Sequence, residues 1–304
     1  SLMGIPLRIK DRILGVFYVD HLTQIRAFHK EDLKQFIALS DQIAIALENA
    51  FLYQEVADKE RIEQELNLAS TIQKRLCDKE LPQVEGLQLY GVMQPARKVG
   101  GDYYDFIPSG PNALHFCIGD VSGKGIGSGL VMVMAQTALN LLCNSQLNTK
   151  EILIKLNQLI YENTDKFIFM SFILFHWNAL QNRLTYTAAG HEHILIYRAK
   201  TQQIEQILAG GTVLGVKENI SEKLTEKTLE LFPQDRVVLY SDGVTEAMNP
   251  KKEEFGLESL VETIQENTHK NPKSLAQAIL DKMTIFRAGA EQSDDITMVV
   301  LQKN

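Results

Sequence analysis

Leu114-His-Phe-Cys-Ile-Gly-Asp120-Val-Ser-Gly-Lys-Gly125 begins as an apolar strand and ends in a glycine-rich turn. The change of pattern puts the Asp120 carboxylate where the strand leaves the interior. Three other segments do the same: Val99-Gly-Gly-Asp102-Tyr-Tyr-Asp105, Tyr240-Ser-Asp242-Gly-Val244 and Ser293-Asp294-Asp295-Ile-Thr297. One such aspartate is ordinarily a turn-capping residue. Four of them read differently, because gathered carboxylates repel one another unless a cation offsets them, and hard divalent ions such as Mg²⁺ or Mn²⁺ take oxygen ligands. No His or Cys cluster competes for zinc. The chemistry suggested is two-metal hydrolysis, with an ion-activated water attacking phosphorus in line. Spacing alone leaves open whether the four residues meet.

Working outward, strands are expected at 87–92, 103–107, 114–121, 171–177, 184–189, 194–198, 204–208, 227–231, 236–241 and 296–302, and helices at 127–144, 148–163, 257–266 and 272–287. Asn148-Thr-Lys-Glu151 has the form of a capping box, and Asn271-Pro272 puts proline at a first helical position. Many strands, with helices bunched in pairs, point to an α+β architecture of packed sheets with helices outside.

At roughly 150 residues per domain, 304 residues allow about two domains. With 45% hydrophobic and 23% charged residues, a wholly disordered, collagenous or coiled-coil chain is excluded. A net charge of −7 does not suit nucleic acid or anionic lipid, so no nucleic-acid partner is expected. Cys77, Cys117 and Cys143 are an odd number without CxxC spacing, which argues against a disulfide framework and for a reducing compartment. No apolar run approaches the roughly 20 residues that span a bilayer, and no signal peptide is evident. A cytoplasmic protein with no membrane segment is the expectation.

Residues 5–20 read as two strands around a Lys10-Asp11-Arg12 turn. From Lys30 to Leu76 there is neither Gly nor Pro, and Leu33, Phe36, Ile37, Ile43, Ala44, Leu47, Ala50 and Phe51 recur at helical spacing. The second half carries a narrower stripe, Ile62, Leu66, Ala69, Gln73 and Leu76, stepping as a two-stranded seam does. The two stripes fall out of phase between Gln54 and Arg61, a segment through which a sensor could twist or reposition the domain that follows. Two readings stand: a surface helix with a core-facing stripe, or a parallel dimer helix that transmits a signal.

The run from Glu65 to Val300 resembles the SpoIIE-type branch of the metal-dependent protein phosphatase (PPM) family. The matching segments are Glu65–Leu76, Pro95-Ala96, Val99–Asp105, Gly119-Asp-Val-Ser-Gly-Lys-Gly125, Ala189-Gly-His191, Leu214-Gly-Val216, Tyr240–Val244 and Asp294-Asp-Ile-Thr297. The resemblance implies an α-β-β-α sandwich with two Mn²⁺ or Mg²⁺ ions, hydrolysing phosphoserine or phosphothreonine in a protein without a covalent phosphoenzyme. Carried over by position, Asp120 bridges the two metals, the backbone carbonyl of Val121 ligates one, Asp242 and Asp294 complete the other site, and Asp102 acts through a metal-bound water. Asp105 and Asp295 hold their turns, and His191 is a buried turn residue.

Three departures from the wider family stand out. Val121-Ser-Gly-Lys124 lacks the histidine that eukaryotic members carry after the bridging aspartate, so the leaving group takes its proton from water or Lys124 contributes charge. Arg97, five residues before Asp102, falls where those enzymes place a phosphate-binding arginine, and a solvated surface Arg is the competing reading. Glu192-His193 stands where the branch continues with Pro-Pro.

Gly4–Leu7, Ile13–Asp20 and Ile43–Ala50 resemble the final third of a GAF sensor domain. The implication is a longer native chain, and a fragment that does not bind the sensor ligand by itself. The expected organisation is residues 1–52 as the GAF fragment, 53–80 as a coiled-coil signalling helix through which the chain forms a homodimer, and 81–304 as the phosphatase domain. The resemblance implies a phosphorylated anti-anti-sigma-factor (STAS) protein as substrate, and the order of sensor, helix and phosphatase suits a partner-switching pathway.

A P-loop is excluded: three residues rather than four separate Gly119 from Gly123-Lys124, and Gly125 occupies the Ser/Thr position. A catalytically inactive dimeric scaffold on the same fold is the remaining alternative.

Overall fold

The computed structural model describes residues 1–25, 27–77 and 80–304. In chain order the elements are β1 (Leu2–Ile9), β2 (Arg12–Asp20), α1 (Lys30–Cys77), β3 (Leu87–Gln94), β4 (Tyr103–Pro108), β5 (Ala113–Val121), α2 (Ile126–Leu142), α3 (Thr149–Asn163) and β6 (Met170–Asn178). They continue with β7 (Arg183–Ala189), β8 (Ile194–Arg198), β9 (Gln203–Ile207), β10 (Lys227–Leu229), β11 (Arg236–Tyr240), α4 (Asp242–Thr245), α5 (Gly256–Glu266), α6 (Pro272–Arg287) and β12 (Ile296–Lys303). Two compact units divide the chain, Ser1–Glu65 and Leu66–Asn304.

The second unit holds two antiparallel five-stranded sheets, ordered β10-β7-β6-β5-β4 and β3-β12-β11-β8-β9. Residue alternation specifies the layers. On β5, Leu114, Phe116 and Ile118 enter the core between the sheets, while Cys117 and Val121 point to the opposite face, where α2 and α3 pack. On β12, Val299 and Leu301 join the same central core, and Ile296, Met298 and Val300 pack under α5 and α6. Both faces of these strands are covered, so the segments are apolar almost without interruption. The result is the expected α-β-β-α sandwich. The Asn148–Glu151 capping box forms, with reciprocal bonds of 2.9 Å, and Asn271 caps α6 with Pro272 in its first turn.

Short α4 was not anticipated: the strand expected to reach residue 241 stops at Tyr240, and Asp242 opens a four-residue helix. Four residues cannot display helical periodicity. The three cysteines are buried and stand outside any disulfide.

In the first unit β1 and β2 pair as a hairpin, and Phe17 stacks on Phe36 of α1 with ring centroids 4.4 Å apart. Helix α1 ends one residue past the expected Lys30–Leu76 span. It contains a stretch of mean hydropathy 1.2, enough by length and composition to cross a membrane, which corrects the expectation that nothing in the chain reaches that threshold. Asp41 and Glu48 are the charged residues within that stretch.

Within the second unit, the end of α1 departs from its expected use. Gln73 and Cys77 are buried and Leu76 is half-buried against the core under α2, and Gln136 Nε2 donates to Leu76 O at 3.3 Å. This part of the stripe therefore faces its own chain rather than a second helix. Residues 78 and 79 of the expected 53–80 segment lie outside the described residues.

Candidate active site

Each sheet sends two aspartates to one rim. Asp102 precedes β4 and Asp120 nearly ends β5 in the first sheet, and Asp242 follows β11 and Asp294 precedes β12 in the second. Ser241 joins the two sides, its Oγ donating to Asp102 Oδ2 at 2.8 Å and its backbone N–H to Thr297 O at 3.0 Å.

The carboxyls act on one another. Burial, followed by repulsion from Asp120, holds Asp102 well above the ordinary carboxylate range. Burial and the charge of Asp242 push Asp120 up to about 6, and Asp102 and Asp120 lie close enough to share a hydrogen bond. Burial and Asp294 likewise raise Asp242. Lys124 is the cation placed among them, with Nζ 2.8 Å from Asp294 Oδ2 and donating to Ser293 O at 2.6 Å.

Among the described residues, no three His, Cys, Asp or Glu side chains stand close enough to hold a metal ion in their present positions, Asp294 being turned onto Lys124. The donor set nonetheless fits hard divalent cations. It is all oxygen, it is under-compensated in positive charge, and the Val121 carbonyl borders a space kept open by Gly101, where an added Cβ would fall 2.7 Å from that oxygen.

Backbone loops around the rim are fixed by buried polar side chains. Asp295 accepts from Ala96 N at 2.7 Å, Gly101 N at 2.9 Å and Asp102 N at 3.4 Å. Gln73 brackets Gly100, donating to its carbonyl at 2.8 Å and accepting from its N–H at 3.2 Å. Asp105 accepts from Phe106 N and Tyr103 OH. His191 is buried, shares a 3.1 Å hydrogen bond with Ser171 Oγ, and is held by burial at about 4, so it is neutral at pH 7.

Two carboxylates were missed in the sequence. Glu192 and Glu246 are raised by burial first and by Asp242 second, which places both near the rim. Their signal was weak, because neither ends a strand beside a glycine. Arg97 is exposed and lines a cleft of about 10 Å³ with Asp120, Lys124 and Asp294, room for roughly one water. Larger cavities of about 280 and 300 Å³ lie elsewhere, one beside His115, His176 and Glu226 and the other beside Gln73 and Tyr104. Charge convergence identifies the chemical site better than volume does.

The family described as Stage II sporulation protein E (SpoIIE) matches residues 110–304, well over half of the chain. The chain belongs to the SpoIIE family. A GAF domain matches residues 1–47 of this SpoIIE-family chain. It is 28% identical to phosphoserine phosphatase RsbU of Bacillus subtilis (strain 168) over 295 residues, covering 92% of this chain and 86% of that protein. Among solved structures, the SiaA-PP2C domain of Pseudomonas aeruginosa superposes with a TM-score of 0.71 at 17% identity, covering 82% of this chain and 99% of that one. RsbX in complex with magnesium superposes at 0.56 and 12%, covering 74% and 99%. These low identities speak for the fold. Family membership and the similarity to RsbU make this SpoIIE-family chain a protein serine/threonine phosphatase.

Proposed function

We propose that the phosphatase removes phosphate from serine or threonine of a small STAS-type anti-anti-sigma protein, using two Mn²⁺ or Mg²⁺ ions held by Asp102, Asp120, Asp242, Asp294 and the Val121 carbonyl. The observation that carries the metal assignment is the convergence of four strand-end carboxylates from two sheets, with Asp120 raised to about 6. Bound there, the cations supply an activated water and neutralise phosphoryl oxygens. Solved RsbX, of the same fold, contains magnesium.

This chain's own residues perform the rest. In this reading Asp120 would contribute to holding both cations, and Asp242 and Asp294 would help to hold the second. Lys124 offers positive charge on the rim, and exposed Arg97 supplies a planar fork suited to phosphate oxygens. His191, enclosed and neutral, orients the Ser171 hydroxyl rather than protonating a leaving group.

The substrate class is supported by similarity to RsbU along most of both chains and by the order of GAF fragment, long helix and phosphatase. In this reading residues 1–52 end a sensor domain and 53–80 relay its state to 81–304. Exposed Leu47, Phe51, Leu52 and Val56 form the seam of a homodimer, which light scattering tests directly.

Mn²⁺-dependent hydrolysis of p-nitrophenyl phosphate, compared with Asp120→Asn, tests the centre. A large loss in the variant is expected. Equal, negligible rates in both over a range of metal concentrations would favour an inactive scaffold. Release of phosphate from a phosphorylated STAS protein of the same genome tests the substrate, and no release while another phosphoprotein is cleaved would sink it.

A further inference from the structure

The pairing of β5 with β6 sets Ser171 opposite Asp120 and Met170 opposite Val121. One residue farther out, Ser122 N–H donates to Phe169 O at 2.8 Å, Phe169 N–H donates to Ser122 Oγ at 2.9 Å, and Ser122 Oγ donates to Phe167 O at 3.4 Å. The segment Phe167–Phe169 is thus fastened to the residue two past Asp120. On its other side Met170 and Leu214 exchange two backbone hydrogen bonds, of 2.9 and 2.8 Å, and a Cβ added at Gly215 would fall 3.1 Å from Ile168 O. Val216 therefore flanks the same segment.

These three side chains are open to solvent: Phe167 is 90% exposed, Phe169 39% and Val216 42%. Single exposed apolar residues are common, but two phenylalanines and a valine exposed on hydrogen-bonded backbone segments beside the catalytic rim are side chains of the kind that a docked partner covers.

We propose that Phe167, Phe169 and Val216 form an apolar shelf on which the folded phosphoprotein substrate rests while its phosphoserine enters the Asp120 rim. The proposal rests on the substrate reading above and deepens it. A phosphoserine side chain is short, so a phosphorus atom at the rim brings the substrate's own surface against whatever flanks that rim. Elsewhere the rim carries charged groups of both signs, the carboxylates Asp242, Asp294, Glu192 and Glu246 and the cations Lys124 and Arg97, which suit ions and charged surface. The shelf is the side that suits an uncharged, apolar area around the phosphorylation site.

Two substrates separate docking from chemistry: p-nitrophenyl phosphate, which is too small to reach the shelf, and a folded phosphorylated STAS-domain protein. Phe167→Ser and Val216→Ser are expected to lower kcat/KM on the phosphoprotein about tenfold, mainly through KM, as loss of an interface anchor does. Turnover of p-nitrophenyl phosphate and the melting temperature should stay at wild-type values. Unchanged kinetics on the phosphoprotein, or equal loss on both substrates, would overturn the shelf alone. A wild-type protein that hydrolyses p-nitrophenyl phosphate but not the phosphorylated STAS protein would overturn the substrate reading, and the shelf as its dock with it.

Discussion

Gln73, near the end of α1, uses both ends of its side-chain amide on one residue, Gly100, two positions before Asp102. The backbone that carries Asp102 is thereby tied to the last turns of the long helix within the second unit. Gln73→Leu fills a similar volume but leaves a buried N–H and C=O unpaired, each costing about 1–3 kcal/mol. The expected outcome is a lower kcat on p-nitrophenyl phosphate together with a lower melting temperature. A wild-type kcat and melting temperature in Gln73→Leu would show that the amide bonds do not matter.

Asp120 sets activity against stability. An unfolded aspartate ionises near 3.9, about two units below the folded value of about 6, so the folded protein binds the extra proton between these values. Stability of chelator-treated protein should therefore fall as pH rises from about 4 to 6. Asp120→Asn removes that penalty, on the order of 2–3 kcal/mol. The metal-free variant should melt above wild type at pH 7, and the difference should vanish near pH 4. Its phosphatase activity should drop by about a hundredfold or more.

His115 shows the opposite sign. Burial, reinforced by the facing His176 ring 4.5 Å away, lowers it to about 3, against about 6.5 in the unfolded chain. Its contribution is complete above pH 6.5 and is lost as pH falls toward 3. Glu226 acts on neighbouring His176 in the other direction. His115→Phe should flatten the acid limb of a stability-versus-pH curve by up to about 5 kcal/mol, and an unaltered limb would assign the acid sensitivity elsewhere.

Asp295 lines the rim cleft and also organises the backbone behind it. Asp295→Ala removes the acceptor for three backbone N–H groups. Supporting partners of this kind typically govern about 10–100-fold in activity or metal affinity. Calorimetry with Mn²⁺ should show weakened binding, and affinity within twofold of wild type would limit Asp295 to a folding role.

Much of the fold was legible because the interior strands are apolar and the turns between them are marked by glycine and aspartate. Strand β5, read from Leu114 to Val121, extends one residue earlier, to Ala113. The four strand-end aspartates were legible for the same reason. Gln73 was misread because an amide on an apolar stripe looks like a polar seam position, and only the tertiary contact with Gly100 reveals its task. Glu192 and Glu246 were hidden because their nearness to Asp242 depends on how separate segments meet in space. The short helix at Asp242 was too brief for any periodic signal.

Neither sheet owns the catalytic rim. Asp102 and Asp120 move with one sheet, Asp242 and Asp294 with the other, and the layer that keeps them in register is the central core containing Phe116, Phe175, Leu239 and Val299. The distances between these carboxylates are therefore a vernier of slippage in the sandwich. A substitution deep in that layer, far from any phosphate, is read out at the rim as a mismatch between two half-sites before the protein as a whole loosens.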